Sequence, residues 1–331
     1  MFCVLPVLHA CAGKGETPLL DPPFDEICTL NQTEEPLGVI NSIDYISDST
    51  FVLCTESQIY LYDFSGALIR KIGRMGHARS EYISPRVVRY GSGRIIAWDG
   101  MQAKFLCYGM DGEYLGETAF NTGVSDFLVE GDCLWIYTSN KKSDRCIVKL
   151  DLESGETETQ DFMPVGSGHH VLVRWISRAP MALENGVLWC MPKNELDIYR
   201  SDRSEVIHLN SDSFKAADID DPQAVIADRE KMEEYLLDNS FVLAVHPMDR
   251  VVHVLAAEGY LRKTNMEMDR THRYYAAYSY DRSTGKVKKL ARFPQASFSP
   301  EQVMVGPDCF YCLSHKVTEG EDQYRLEKLV L

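Results

Sequence analysis

Lys71-Ile72-Gly73-Arg74-Met75-Gly76-His77-Ala78-Arg79-Ser80-Glu81-Tyr82 directly follows a hairpin signal, Asp63-Phe64-Ser65-Gly66. Gly73 and Gly76 free the backbone to turn, while Glu81 and Tyr82 supply a carboxylate and an aromatic ring to pin it. The stretch reads as a connection between two β units, with Glu81 and Tyr82 expected to fasten it to the second. Arg74, His77 and Arg79 lie in the same loop as candidate ligand contacts, and Gly73, Gly76, Glu81 and Tyr82 as its structural members.

Outward from this loop, one pattern recurs: a turn residue followed by a short apolar strand. It appears as Phe51-Val52-Leu53, Ile95-Ile96-Ala97-Trp98, Cys133-Leu134-Trp135, Val187-Leu188-Trp189, Val251-Val252-His253-Val254 and Cys309-Phe310-Tyr311. The spacing of roughly 40 to 60 residues is that of propeller blades, and period-two patterning dominates throughout. A second pattern, a strand ending in Asp with a Gly turn, lies downstream: Asp63 to Gly66, Asp111-Gly112, Asp151 to Gly155 and Asp281 to Gly285. The Asp accepts backbone hydrogen bonds and the Gly takes positive φ, so these are hairpins between the third and outermost strands of a blade.

The C-terminal repeat has three strands, and a strand-like piece, Glu26-Ile27-Cys28-Thr29-Leu30, precedes the first full repeat. An open ring would leave unpaired N–H and C=O groups, so this piece is expected to complete the last blade. Asp221-Pro222 offers a helix cap and a first-turn proline; Val225, Ile226, Met232, Leu236 and Leu237 then share one face of a helix reaching about Asn239. The expected architecture is all-β: a six-bladed propeller over 25–331, with a short helical insertion near 221–239 between the fourth and fifth blades, after a segment 1–24.

The loop, the Asp/Gly hairpins and the start of the chain together resemble the NHL-like six-bladed β-propeller lipoproteins common in Bacteroidetes. In that family the linker runs close to Gly-x-x-Gly-x-Gly-Pro-x-Glu-Tyr; Gly73, Gly76, Glu81 and Tyr82 match, and Ala78-Arg79 stand where Gly-Pro is usual. Leu8-His9-Ala10-Cys11 is similar to a bacterial lipobox, which implies lipidation at Cys11 and an exported outer-membrane or periplasmic protein. No basic segment precedes the apolar start, as a start codon assigned too far downstream would produce.

Composition excludes several classes. The 331 residues carry a formal net charge of -15 and a pI near 5.1, with no basic patch interleaved with aromatics, which argues against nucleic-acid binding. No internal run approaches a bilayer-spanning length, so membrane contact is expected only through the lipid anchor. Most of the ten cysteines sit in apolar strand-like runs and read as small buried hydrophobes. Cys309 and Cys312, three apart on a strand, point to opposite faces and cannot share a metal.

Two further constellations are candidates for chemistry. His169, His170, Arg174, Trp175 and Arg178 follow a Gly166-Ser167-Gly168 turn and would suit an anionic or carbohydrate ligand, the histidines diverging on an extended strand. His246, His253, His272 and Asp281 are scattered, with no ligand spacing. No Gly-x-Ser-x-Gly, phosphate-loop or His-Glu-x-x-His motif is present. The functional expectation is a monomeric, envelope-anchored binding or scaffold module for a glycan, peptide or protein, with no cofactor. The alternative is a propeller lyase or lactonase-type hydrolase with Ca or Zn in the channel.

Overall fold

The structure, a computed structural model, describes residues 24–30, 37–138, 145–166, 168–169, 171–172, 179–216, 219–264, 267–269, 272–294, 302–318 and 321–331. Cys11, His170, Arg174, Trp175 and Arg178 lie outside these. Six four-stranded antiparallel sheets form six blades. Blade 1 is Ile40–Ser47, Thr50–Thr55, Ile59–Asp63 and Leu68–Ile72; blade 2 is Pro85–Gly91, Arg94–Asp99, Lys104–Gly109 and Tyr114–Ala119. Blade 3 is Val124–Glu130, Cys133–Thr138, Arg145–Asp151 and Thr157–Pro164; blade 4 is Met181–Glu184, Val187–Cys190, Asp197–Arg200 and Arg203–His208. Blade 5 is Phe241–Pro247, Val251–Gly259, Arg273–Asp281 and Val287–Pro294, with a small hairpin, Arg262–Thr264 and Glu267–Asp269, inserted before its third strand. Blade 6 takes Gln302–Val305, Phe310–Thr318 and Glu321–Leu329, and Phe24–Thr29 adds its outermost strand.

Burial explains the strand types. A second strand is pressed between two neighbouring blades, so Phe51-Val52-Leu53-Cys54 is buried on both faces and reads as a continuous apolar run instead of an alternating one. The outermost Leu68–Ile72 leaves Ile69, Arg70 and Lys71 in solvent. The core is divided accordingly, one apolar cluster between each pair of adjacent blades, and the innermost strands touch in a closed ring. Cys309 packs in the cluster between blades 6 and 1, and Cys312 in the cluster between blades 5 and 6, so their thiols do face opposite ways.

The Asp/Gly hairpins join third to outermost strands in blades 1, 2, 3 and 5. In blade 5, Asp281 Oδ1 accepts from Ser283 Oγ (2.6 Å), Ser283 N (2.9 Å) and Thr284 N (3.0 Å). The Ser283 hydroxyl, then the turn amides, hold the Asp281 carboxyl down from 3.8 to about 2, and the same kind of donors lower Asp63 and Asp151. A depressed carboxyl stabilises the fold above the unfolded pKa and loses that contribution as pH falls through the folded one. Asp281→Asn is therefore expected to melt below the native chain at about pH 6 and together with it near pH 2. Thermal melts across that range check this; an equal gap at both pH values would show that the ionised carboxylate is not what acts.

The helical insertion between blades 4 and 5 is two helices, Pro222–Ala227 and Arg229–Asp238, where the sequence suggests one. Asp228 is the cause: its backbone is extended (φ -107°, ψ 112°), and its carboxylate caps Glu230 N and Lys231 N as Asp221 caps Gln223 N and Ala224 N. Met232 and Tyr235 are buried against Val171 and Leu172. No helix among the described residues is long and apolar enough to cross a membrane.

Candidate functional site

All six innermost strands run in the same direction, from the face that carries the inter-blade linkers to the face that carries the short turns after them. Their last residues converge on the turn face around a cavity of about 390 Å³ at the mouth of the central channel. Every blade contributes: Tyr45 from blade 1, Tyr90 from blade 2, Leu128 from blade 3, Leu183 from blade 4, His246 from blade 5 and Val305 from blade 6. A mostly apolar wall with a few polar groups is the usual make-up of a small-ligand or side-chain pocket.

Three polar groups stand at this mouth in different states. Asp44 Oδ2 accepts the Tyr90 amide at 2.8 Å, tying blade 1 to blade 2. Glu184 Oε2 accepts from Arg282 Nη2 at 2.6 Å, tying blade 4 to blade 5. His246 is 5% exposed, and its Nδ1 has no hydrogen-bond partner among the described residues. It faces His253 across the first two strands of blade 5. Burial, followed by the neighbouring His253, holds the His246 imidazole down to about 4, and burial alone lowers His253. Both rings are neutral at neutral pH, and the His246 Nδ1 offers an uncharged acceptor, the Pro307 backbone engaging the ring N–H.

On the same innermost strands, a buried ion pair joins blade 2 to blade 3. Arg89 Nη2 lies 2.5 Å from Asp126 Oδ1, and both side chains are 2% exposed. Arg89 Nη1 also donates to Ser42 Oγ (2.7 Å), Ile43 O (3.0 Å) and Val88 O (2.7 Å). Asp126 accepts from Phe127 N at 2.8 Å and Ala179 N at 2.9 Å. This network ties blades 1 to 4 together.

The Gly73 loop has a structural explanation on the opposite, linker face. Tyr82 Oη donates to Ile72 O at 2.8 Å and accepts from Gln58 Nε2 (2.7 Å) and Ile59 N (3.3 Å), so it pins the loop back to blade 1 and not forward as the sequence suggests. Blade 2 holds it from the other side: Gln102 Nε2 donates to Gly76 O and Glu81 O, and Tyr108 Oη to Ser80 O. Glu81 stays inside the loop, accepting from Arg74 Nε (2.6 Å) and Ala78 N (2.8 Å); the Ala78 amide, then Arg74 and the His77 amide, hold its carboxyl below the usual carboxylate range. A side chain at Gly76 would run into that carboxylate, and one at Gly73 into Tyr82 and Tyr108. At the departure from the family pattern, the Ala78 amide and the Arg79 carbonyl both carry bonds, the latter from Lys104 Nζ at 3.2 Å. The Arg79 side chain pairs with Glu117 at 3.5 Å, and His77 is exposed.

The other expected residues do not gather. His169 lies in a short helical turn, not on a strand, and is fully buried; its Nδ1 accepts the Lys193 amide at 3.1 Å, joining the linker after blade 3 to blade 4. His272 stacks on Tyr260, with ring centroids 4.7 Å apart, at one end of the third strand of blade 5, and Asp281 closes the other end, roughly 30 Å away along the chain. Among the described residues, no three His, Cys, Asp or Glu side chains stand close enough to hold a metal ion. Of the scattered set, His246 alone lines the channel mouth. Tyr45, Tyr90 and Glu184 carry no motif; their one signal is a polar or aromatic residue within the last three positions of an innermost strand.

Among solved structures, a protein described as exported from Bacteroides fragilis superposes with a TM-score of 0.56 at 18% identity, covering 96% of this chain and 95% of that one. A member of the DUF4221 family from Bacteroides vulgatus gives a TM-score of 0.67 at 11% identity, covering 96% and 99%. Both likenesses are of fold. A comparison with curated protein sequences gives no match. A family model described as a 6-bladed beta-propeller, DUF5128, matches residues 29–255, well over half of the chain. With blades, hairpins and ring closure as described, the chain belongs to this family of six-bladed β-propellers.

Proposed function

We propose that this protein is a binding module that takes an apolar segment of a peptide or protein partner at the channel mouth on the turn face. The observation that carries this reading is the cavity of about 390 Å³ where all six innermost strands end. Its lining includes the aliphatic side chains of Leu128, Met181, Leu183 and Val305, which suit an apolar side chain better than the hydroxyl-covered surface of a sugar. The neutral His246 at its wall can accept from a backbone amide without charge. Val305, partly exposed on blade 6, gives the test. Selection of a random peptide library on the purified protein is expected to enrich peptides with a shared apolar anchor, and Val305→Arg to abolish their binding while the variant still melts cooperatively as a folded chain. No enrichment, or equal binding to Val305→Arg, would remove the channel mouth as the site.

The same reading places the protein outside the cytoplasm, held by lipid on Cys11. Its support is the lipobox-like Leu8-His9-Ala10-Cys11 and a similar fold in a protein described as exported. Labelled palmitate incorporated by the native chain and not by Cys11→Ser is the expected result; an unlabelled native chain rules the anchor out.

A further inference from the structure

Two blades carry the same three kinds of side chain in the same register, and they differ in how those side chains are bonded. In blade 3, Glu130 ends the innermost strand, Trp135 lies on the second strand, and Lys149 stands directly across from Trp135 on the third. There Trp135 Nε1 donates to Glu130 Oε2 at 2.9 Å. Lys149 Nζ sits 4.7 Å above the indole and 3.4 Å from the same carboxylate oxygen. The triad is closed on itself. The equivalents in blade 4 are Glu184, Trp189 and Arg200: Glu184 pairs with Val187 as Glu130 pairs with Cys133, and Arg200 stands across from Trp189.

In blade 4 the triad is open. Arg282, from the hairpin of blade 5, takes the Glu184 carboxylate at 2.6 Å. Arg200 turns to Asp202, with bonds of 2.9 and 2.7 Å. Both guanidiniums still pack on the indole, 4.4 and 4.5 Å from its centroid. Trp189 itself is 1% exposed, and its Nε1 hydrogen has no acceptor among the described residues. A buried N–H without an acceptor is disfavoured, and natural structures rarely leave one unless something else fills the place. Against the Trp189 side chain, between blades 4 and 5, lies a cavity of about 250 Å³ walled also by Arg200, Arg203, Tyr280 and Arg282. Arg203 stands across from Arg200 on the outermost strand; it is exposed and has no ion pair among the described residues.

We propose that this cleft binds a small organic carboxylate. Arg203 offers the planar fork that matches a carboxylate, and the Trp189 N–H supplies the second donor that blade 3 satisfies internally. Tyr280 and the Ile207 side chain provide the apolar wall for the rest of the molecule. Charge sets the class. Asp202 and Glu184 already neutralise Arg200 and Arg282, so one guanidinium remains to meet the ligand, and Glu205 on the same wall repels a second negative charge. A monoanion fits this balance, and a phosphate dianion does not.

The indole N–H is a direct reporter. In protein labelled with ¹⁵N at tryptophan, the Trp189 side-chain signal is assigned by its disappearance in Trp189→Phe. Titration with benzoate is expected to move that signal downfield in a saturable way and leave the Trp135 signal in place. Benzyl alcohol and inorganic phosphate are expected to leave both signals unmoved. Arg203→Gln, an exposed substitution, should weaken benzoate about tenfold or more. A Trp189 signal that benzoate does not move overturns the proposal, as does equal affinity in Arg203→Gln; an equal response to phosphate overturns the carboxylate assignment. Val305→Arg should bind benzoate as the native chain does, so failure at the channel mouth and failure at this cleft are read separately.

Discussion

Asp126→Ala is expected to cost the fold about 3–5 kcal/mol, because it removes the carboxylate bonded to the buried Arg89 guanidinium and leaves only the more weakly coupled Asp44 as counter-charge. Arg89 and Asp126 side chains are each 2% exposed, and the bonds around them reach Ser42 and Ile43 in blade 1 and Ala179 at the entrance to blade 4. A chain of this size shifts its melting temperature by roughly 2 °C per kcal/mol, so a fall on the order of 6–10 °C should be seen by calorimetry. Arg89→Met combined with Asp126→Leu removes both charges and fills similar volume, and should recover most of the loss, since replacing a buried pair by packed apolar groups is often neutral. A single Asp126→Ala variant that melts within a degree or two of the native chain would mean that solvent reaches the guanidinium or that another carboxylate compensates it. The double variant also bears on function. It should leave peptide binding at the mouth intact, because neither Arg89 nor Asp126 lines the cavity.

That network is also where the sequence is least legible. Arg89 sits in Val87-Val88-Arg89-Tyr90 and Asp126 in Ser125-Asp126-Phe127, and each looks like the solvent side of an ordinary strand. Only ring closure, which brings strands about 40 residues apart side by side, turns both of them inward. His246 is obscured for the same reason: its partner in register is local, but the mouth it lines is assembled from six separate strands. By contrast, the hairpins at Asp63, Asp111, Asp151 and Asp281 are legible because their bonds close within four residues. The Gly73 loop falls between these cases. Its glycines and Glu81–Arg74 pair are local, but the anchor of Tyr82 on Ile59 and Ile72 reaches back across a blade and is visible only in the fold. The helical insertion shows a similar limit: Asp221 announces a cap, whereas Asp228 sits within an apolar period that a single helix would also satisfy.

Removing residues 24–30 is expected to abolish the monomeric ring altogether. Phe24–Thr29 pairs along the edge of Glu321–Leu329, Leu30 N donates to Tyr324 O at 2.9 Å, and Cys28 and Leu30 are buried in the cluster between blades 6 and 1. Without this strand the last blade presents a row of unpaired N–H and C=O groups beside uncovered apolar side chains, a template for edge-to-edge association. Lost ladder bonds at about 1 kcal/mol each, with about 2 kcal/mol for Leu30, together approach the whole stability of an ordinary domain. Size-exclusion chromatography should show aggregate in place of monomer; a monodisperse truncated chain with a native melt would refute this closure of the ring. A milder substitution isolates the clamp that holds the strand. Gly66, at φ +83° in the blade 1 hairpin, lies so close that an added Cβ would stand 2.2 Å from Thr29 O, whereas at Gly285 (φ +67°) in blade 5 nothing lies within 4 Å. Alanine at Gly285 meets only the left-handed backbone penalty of about 1–2 kcal/mol. Alanine at Gly66 meets that penalty and must also push the closing strand away, so it should melt several degrees lower and speed hydrogen exchange at Leu30. Equal losses at the two glycines would show that the closing strand is held by pairing alone, with no clamp from blade 1.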